Sequence, residues 1–299
     1  MDFSREEIEY MLGVAIDFKK KWIRKEPHEY LKGRVIAMIF EKPSTRTRVS
    51  FQAAVAHLGG QSFFLMPTQL QLSRGEPIRD TARVIDRYCD ALVIRTFGQE
   101  IVEEYAKYMQ NPVINALTDY THPCQGLADL MTILEKKGRL QGIKLAYTGD
   151  IWNICHTLMI ISSIFGINLY VARPEGYDPD RKVESFADKM SKKSGAEIVI
   201  TTNLKEAVKD ADVVYANTWH SMGGPEKEKE KRLKDFAGYQ INSEIMKLAK
   251  KDAIFMHCLP CYRGEEVTDE VIEGPYSVVF DQAENRLHTE KAVLTLFVS

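Results

Sequence analysis

The chain has 299 residues, of which 44% are hydrophobic and 27% charged, with a formal net charge of −2 at pH 7. This length exceeds the usual size of one hydrophobic core, so two domains are expected. A nearly neutral chain offers no extended positive field for nucleic acid, and any anion must therefore be held by local arginines. These properties favour a small anionic ligand and exclude nucleic acid as the expected partner.

Cysteine usage and hydropathy predict a reducing compartment. No apolar run approaches the length of a membrane span, and the first residues are charged instead of following the positive-then-apolar pattern of a signal peptide. The cysteines are odd in number and widely scattered, which argues against a disulfide framework. They are Cys89, Cys124, Cys155, Cys258 and Cys261. We therefore expect a cytoplasmic protein without a membrane partner.

The first half of the chain alternates strand-length apolar runs with amphipathic helical stretches, as parallel α/β folds do. An opening helix carries Ile8, Met11, Leu12, Ala15 and Ile16 on one face. The predicted strands are residues 35–40, 91–94 and 113–114. One helix is predicted after Ser44, and another carries Leu127, Leu130, Met131 and Leu134.

The second half repeats this alternation, with predicted strands at residues 143–148, 168–171, 197–200, 213–215 and 253–256. We predict an α/β fold of two domains, residues 1–138 and 139–299, each a mostly parallel sheet flanked by helices. A cleft between them is the expected ligand site, because ligands bind beyond the carboxyl ends of parallel strands. The last helix, residues 292–296, is expected to pack back on the first domain.

An anion-binding turn is predicted where the first strand ends. Pro43 ends the strand, and Ser44 is the expected N-cap of the next helix, whose free N–H groups attract phosphate. Thr45 and Thr47 add hydroxyl donors, and Arg46 adds a planar fork suited to phosphate. Arg48 lies roughly 200° around the helix from Arg46 and is expected to face away. The alternative is a capped surface helix with solvated arginines.

Two further polar groups follow predicted strands. His122 and Gln125 lie one helical turn apart at a helix start, where they can converge on one carbonyl group or can simply cap the helix. Residues 257–260, His-Cys-Leu-Pro, follow the strand at 253–256, a favourable place for chemistry. Cys258 and Cys261 also form a Cys-x-x-Cys pair, but Pro260 and the late position argue against a redox motif. No second ligand pair supports a zinc site.

Three other features of the sequence have less specific patterns. Gly149 is the only glycine of a turn where a dinucleotide fold carries three, so a nucleotide cofactor is not expected and Asn153 is predicted to point an amide into the cleft. Residues 221–234 are predicted to form a flexible surface loop, with a lid as the alternative. The remaining histidines, His28, His57 and His288, are predicted to be surface or packing residues.

Together, four segments resemble the aspartate/ornithine carbamoyltransferase family. They are residues 40–48 (Phe-Glu-Lys-Pro-Ser-Thr-Arg-Thr-Arg), 122–125 (His-Pro-Cys-Gln), 257–260 (His-Cys-Leu-Pro) and 283–286 (Ala-Glu-Asn-Arg), and they occur in the family's order over nearly the whole chain. The third segment and Ser221-Met222-Gly223 resemble the ornithine branch. The resemblance implies that carbamoyl phosphate and L-ornithine give L-citrulline and phosphate without cofactor or metal, in a homotrimer or an assembly of trimers.

The resemblance also implies a role for each site residue. The carbamoyl phosphate site would comprise Ser44, Thr45, Arg46, Thr47, Gln71, Arg95, His122, Gln125, Cys258, Leu259 and Arg286. Of these, Thr47, Arg95, His122 and Cys258 would be catalytic, the first three by polarising the carbamoyl oxygen. Gln71 would reach into a neighbouring subunit's site. Ornithine would be bound by Asn153, Asn217, Ser221 and Met222.

One residue departs from the ornithine branch, which usually has Asp-Thr/Val-Trp before Ser-Met-Gly. Here the first of these residues is Asn217. An amide can hydrogen-bond an α-amino group but cannot neutralise its charge. The alternatives are therefore a carbamoyltransferase for another amine, such as putrescine or a modified ornithine, and a non-catalytic anion-binding homologue.

Overall fold

The structure is a computed structural model that describes residues 3–220 and 226–298. Its contacts divide the chain into two units, Met1–Met131 with Glu284–Ser299, and Thr132–Ala283. The expected α/β class is confirmed, because each unit holds one parallel sheet accompanied by helices. Within the described residues, no helix is both long enough and apolar enough to span a membrane.

The first unit contains a four-stranded sheet in the order β2-β1-β3-β4. Its strands are β1 (Val35–Phe40), β2 (Gln61–Leu65), β3 (Ala91–Arg95) and β4 (Val113–Leu117). Its first helices are α1 (Arg5–Ile23), α2 (Arg46–His57), α3 (Ile78–Ile85) and α4 (Gln99–Tyr108). The helix α5 (Pro123–Lys137) begins in this unit, and the last helix, α12 (Val279–Val298), lies in it from residue 284 onward.

The second unit contains a five-stranded parallel sheet in the order β7-β6-β5-β8-β9. Its strands are β5 (Lys144–Thr148), β6 (Asn168–Ala172), β7 (Ile198–Thr201), β8 (Val213–Ala216) and β9 (Ile254–Met256). Its helices are α6 (Asn153–Phe165), α7 (Arg181–Ser194), α8 (Leu204–Val208), α9 (Glu226–Asp235), α10 (Ser243–Met246) and α11 (Asp269–Ile272). A buried apolar cluster built around Val214 and Phe255 packs α8, α10 and α11 against the sheet.

The burial of each strand is reflected in the side chains along its sequence. The central strands β1, β3 and β8 are almost wholly buried, and their sequences are continuous apolar runs, as expected for strands covered on both faces. The strand β2 was not predicted. It is an edge strand whose exposed and half-covered residues, from Gln61 to Leu65, do not form an apolar run.

The expected loop at residues 221–234 is wrong for its charged part. Residues 226–235 form the helix α9, whereas Ser221 to Pro225 lie outside the described residues. Arg232 of this helix is buried and donates to Asp150 (2.6 Å) and to the carbonyl oxygen of Trp219 (3.1 Å). Its guanidinium also lies over the ring of Trp152. This one side chain therefore ties α9 to the turn after β5 and to the segment after β8.

We expect Arg232→Met to lower the free energy of unfolding by about 3–5 kcal/mol, because Asp150 would remain buried without its countercharge. Urea unfolding of the purified chain measures this change. Lys231→Met is the matched control, since Lys231 is exposed and its ion pair with Asp235 is screened by solvent and contributes little to stability. If both variants unfold at the same urea concentration, the buried pair does not hold α9.

Candidate functional site

In the first unit, three polar segments meet where parallel strands end. Residues 41–47 follow β1, Arg95 is the last residue of β3, and His122 follows β4 at the start of α5. Backbone hydrogen bonds fasten these segments together, from the Glu41 amide to the Arg95 carbonyl (2.8 Å) and from the Thr96 amide to the Leu117 carbonyl (3.0 Å). The parallel register thus gathers residues that lie far apart in the sequence.

The start of α2 differs from the expectation by one residue. The N-cap is Thr45 instead of Ser44, it has helical backbone angles, and its side chain makes no capping hydrogen bond. The N-cap side chain therefore makes no hydrogen bond to the first turn of α2, which suits an anion there better than a Ser44 cap would. Arg46 is half-buried here, whereas Arg48 is exposed and stacks 3.8 Å from the Phe64 ring centroid.

Arg286 is the centre of this cluster. It is 3% exposed, and its guanidinium donates to Gln125 Oε1 (3.0 Å) and Thr47 Oγ1 (3.2 Å) and lies 3.5 Å from His122 Nε2. On its other side it donates to Glu290 Oε1 from Nη2 (2.6 Å) and from Nε (3.0 Å). Four of the predicted site residues are thereby brought into direct contact.

His122 is a neutral imidazole in this cluster. Burial lowers its pKa well below 6.5, and the positive charges of Arg286, Arg95 and Arg46 lower it further. A neutral imidazole has one N–H group, which can donate to a carbonyl oxygen. Because the ring carries no charge, it does not form an ion pair with an anion bound by the arginines. The charges of Arg46 and Arg95 thus act on the protonation of His122 together with that of Arg286.

Gln71 is the predicted residue that the first unit does not bring to this cluster. It begins a 3₁₀ turn, Gln71–Arg74, and it is exposed. Its carbonyl accepts from the amides of Gly75 and Glu76, so its described contacts are local.

In the second unit, the predicted residues also lie beyond strand ends. Asn153 begins α6 after β5, Asn217 follows β8, and Cys258 and Leu259 follow β9. The Cys258 thiol donates to Asn217 Oδ1 (3.5 Å), and Asn217 Nδ2 donates to the buried Tyr147 hydroxyl (3.3 Å). Ser221 and Met222 lie outside the described residues.

Gly149 has a structural reason that differs from a nucleotide turn. Its φ is +135°, and a Cβ there would lie 2.4 Å from the Asn217 carbonyl oxygen. Only glycine allows this approach of two backbone segments. The glycine therefore sets the position of Asn217 beside β5.

The turn at Cys258 and Leu259 is held by a buried histidine. Leu259 has a left-handed backbone (φ +57°), a conformation that costs a non-glycine residue about 1–2 kcal/mol. Its amide donates to His257 Nδ1 (2.9 Å), so that His257 Nε2 is the ring donor, 3.1 Å from Glu266 Oε1. His257 and Glu266 are fully buried, and the histidine therefore shapes the turn instead of facing a ligand.

The cysteine pair and the remaining histidines have local partners. Cys258 and Cys261 are not joined in a disulfide, and Cys261 packs against the apolar cluster of the second unit. Among the described residues, no group of His, Cys, Asp or Glu side chains could hold a metal ion. His28 and His288 are buried packing residues, and His57 stacks on Trp22.

Four residues that the sequence reading missed are built into these clusters. They are Tyr147, Asp150, Arg232 and Glu290. The signal for Glu290 was available, because it lies four residues after Arg286 and so on the same helix face. The signal for the other three is tertiary, because each is far in sequence from the partner that defines it.

The chain matches two family models over nearly its full length. Residues 1–135 match the carbamoyl-P binding domain of aspartate/ornithine carbamoyltransferase, and residues 141–297 match its Asp/Orn binding domain. A protein from Thermococcus kodakarensis named ornithine carbamoyltransferase is 53% identical over 296 residues, or 99% of this chain and 93% of that protein. A Caldicellulosiruptor saccharolyticus protein of the same name is 54% identical over 293 residues, covering 98% and 95%.

Solved structures show the same similarity. Ornithine carbamoyltransferase from Pyrococcus furiosus superposes with a TM-score of 0.96 at 52% identity, covering 99% of this chain and 95% of that one. The Gloeobacter violaceus enzyme of that name gives a TM-score of 0.88 at 45% identity, covering 100% and 96%. With both family models and these relatives matched along its length, the chain belongs to the aspartate/ornithine carbamoyltransferase family.

Proposed function

We propose that this chain is an enzyme that transfers the carbamoyl group of carbamoyl phosphate to the side-chain amine of L-ornithine, giving L-citrulline and phosphate. The observation that carries the proposal is the contact of Arg286 with Thr47, His122 and Gln125 beside the uncapped start of α2. The activity expected from the sequence is confirmed by full-length relatives of that name at 52–54% identity.

The first unit is proposed to bind the phosphate of the donor. Ser44, Thr45, Arg46 and Thr47 surround the start of α2, where N–H groups and the helix dipole favour an anion. Arg286 adds a buried guanidinium that already contacts Thr47. Charge-assisted hydrogen bonds of this kind are about twice as strong as neutral ones.

The carbamoyl group is proposed to lie against Arg95, His122 and Thr47, which polarise its oxygen. The neutral His122 ring supplies an N–H donor, and Arg95 supplies a positive charge where negative charge develops in the tetrahedral intermediate. Gln125 already uses its amide group for Asp129 and Arg286, and the second lone pair of its Oε1 remains for the carbamoyl amine.

The second unit is proposed to present the acceptor amine. Asn153, Asn217, Ser221 and Met222 would bind the amino-acid end of ornithine, and Cys258 with the Leu259 backbone would contact the reacting groups. The positive φ of Leu259 supports this role, because strained backbone is concentrated at functional turns.

The chemistry requires a neutral nucleophile. The side-chain ammonium of ornithine resembles that of lysine, with a free pKa near ~10.4, and must lose a proton before its nitrogen attacks the carbamoyl carbon. The carbon–oxygen bond to phosphate then breaks, and phosphate leaves with the bonding electrons. The attacking nitrogen loses its second proton, which ends on the phosphate as hydrogen phosphate. Most of the rate would come from holding the two substrates together and from stabilising the oxyanion.

Arg46 and Arg48 provide a matched test of the phosphate site. We expect Arg46→Ala to raise the KM for carbamoyl phosphate by about 10- to 100-fold, because it removes charged hydrogen bonds to phosphate. Arg48→Ala should change it by less than about threefold, since Arg48 is exposed and stacks on Phe64. Equal effects of the two substitutions would place the phosphate elsewhere.

A panel of amines tests the acceptor. Citrulline should form from ornithine faster than products form from putrescine, lysine or N-acetylornithine. Product from another amine but none from ornithine would overturn the proposed acceptor, and no product from any amine would indicate an anion-binding homologue.

Asn217→Asp should lower the KM for ornithine by about fivefold, because a carboxylate adds ~1 kcal/mol of pairing with the α-ammonium group. The control is the KM for putrescine, which lacks the amino-acid end.

The direction, compartment and assembly are also proposed. Citrulline synthesis is supported by the Pyrococcus furiosus relative, 52% identical, whose name includes "anabolic". A cytoplasmic location is supported by the thiol state of the five cysteines.

A homotrimer, or an assembly of trimers, is supported by exposed apolar residues of the first unit. Phe63 of the edge strand β2 and the following Met66 are 40% and 45% exposed, close in sequence to Gln71. Light scattering should give a mass that is a multiple of three chains, and Phe63→Lys should lower it. A monomer with full activity would contradict the trimer.

A further inference from the structure

We propose that Glu290 is a positioning residue that competes with the donor's phosphate for Arg286, so that carbamoyl phosphate binding is accompanied by protonation of Glu290. The inference rests on the proposed function, because it assumes that Arg286 binds the donor. It adds a group that neither the family motif nor the sequence reading includes.

Glu290 occupies one side of Arg286 in the way that a bound phosphate could occupy the other. Its carboxylate is fully buried and takes two hydrogen bonds from Arg286, at 2.6 and 3.0 Å. The other side of the same guanidinium contacts Thr47, Gln125 and His122, which are the proposed donor residues. The guanidinium of Arg286 therefore lies between the carboxyl group of Glu290 and the place proposed for the donor's phosphate.

The surrounding charges make two anions at Arg286 unfavourable. Arg46 on α2 and Arg95 on β3 are the other cations whose charge acts on this cluster, and Asp129 on α5 is its second buried carboxyl group. With both carboxyl groups ionised, the three arginines leave one net positive charge. A dianionic phosphate would make the cluster net negative, and a proton on Glu290 returns it to neutrality.

The other groups around Arg286 and Glu290 are not expected to take up or release this proton. His122 is neutral because burial and the arginines lower its pKa, and burial raises the pKa of the Cys124 thiol to about 12. Ser50 and Thr47 of α2 carry only hydroxyl groups. Lys291, the next residue on α12, directs its Nζ to His28 Nε2 (3.0 Å).

Glu290 is poised to change its charge near neutral pH. Burial raises its pKa to about 7, although the charge of Arg286 and hydrogen bonding by Ser50 and Arg286 act in the opposite direction. A bound phosphate would raise the pKa of this carboxyl group further by like-charge repulsion. Donor binding therefore takes up a proton above neutral pH, and the apparent affinity falls as pH rises until the complex also loses the proton.

The test compares the wild type with Glu290→Gln from pH 6.5 to 8.5, using carbamoyl phosphate as the probe. Glutamine keeps the oxygen that accepts from Arg286 but has no charge. We expect wild-type donor affinity to fall about tenfold over this range and that of the variant to stay nearly constant. The two should bind equally at pH 6.5 and differ about tenfold at pH 8.5, with the variant tighter. Glu9→Gln, an exposed glutamate of α1, should follow the wild type.

Calorimetry of carbamoyl phosphate binding in two buffers of different ionisation enthalpy counts the protons directly. The wild type should take up roughly half a proton or more at pH 7.5, and Glu290→Gln should take up none by this route. This wild-type count also stands alone if the variant does not fold. Parallel pH profiles, or no proton uptake by the wild type, would overturn the inference and would indicate that Glu290 only holds Arg286 in place.

The citrulline assay separates this inference from the proposed function. If citrulline forms but the pH profiles of donor affinity are parallel for the wild type and Glu290→Gln, only the proposed role of Glu290 is wrong. If no citrulline forms, the proposed acceptor chemistry is wrong. The number of protons taken up on carbamoyl phosphate binding then still tests whether donor binding protonates Glu290.

Discussion

The first unit depends on one constraint: the charged guanidinium of Arg286 is buried away from solvent. Arg286 can stay charged at 3% exposure only because every side of it faces a polar partner. Those partners come from α2, from the start of α5 and from α12 itself. Satisfying one arginine therefore fixes three separate helices in register, and the same register gathers the residues proposed to bind phosphate.

In the second unit, close backbone contacts position the proposed site residues. Gly149 lets the turn after β5 touch the backbone of Asn217, and His257 supports the left-handed Leu259 beside Cys258. In each case the supporting residue, Gly149 or His257, is not itself one of the proposed ligand residues, but it positions one that is. The residues proposed to bind phosphate are therefore positioned by a buried charge, whereas Asn217 and Leu259 are positioned by tight backbone turns. Both groups lie at the carboxyl ends of parallel strands.

The sequence predicted those features whose signal is local or contiguous. Buried parallel strands such as β1 and β3 are apolar runs, and the turn after Phe40 has its own composition, so both could be read directly. The edge strand β2 has no such run. The helix α9 is almost entirely charged, and its order depends on Arg232 reaching Asp150, a contact across 82 residues. The position of Glu290 one helical turn after Arg286 is visible in the sequence, but its complete burial, which raises its pKa, is set by the tertiary structure.

The proposed acceptor site shows how hydrogen-bond direction can fix an ambiguous side chain. The Tyr147 hydroxyl donates to the Asp150 carbonyl, so its oxygen is left to accept, and Asn217 supplies the N–H. The Asn217 amide oxygen must then face Cys258, whose thiol donates to it. A carboxylate at this position would offer Tyr147 an acceptor where a donor is needed. The amide is thus matched to Tyr147, and its cost is the missing countercharge for an α-ammonium group. In the proposed ornithine complex, Asn217 would therefore contribute a neutral hydrogen bond to the α-ammonium group and no charge pairing.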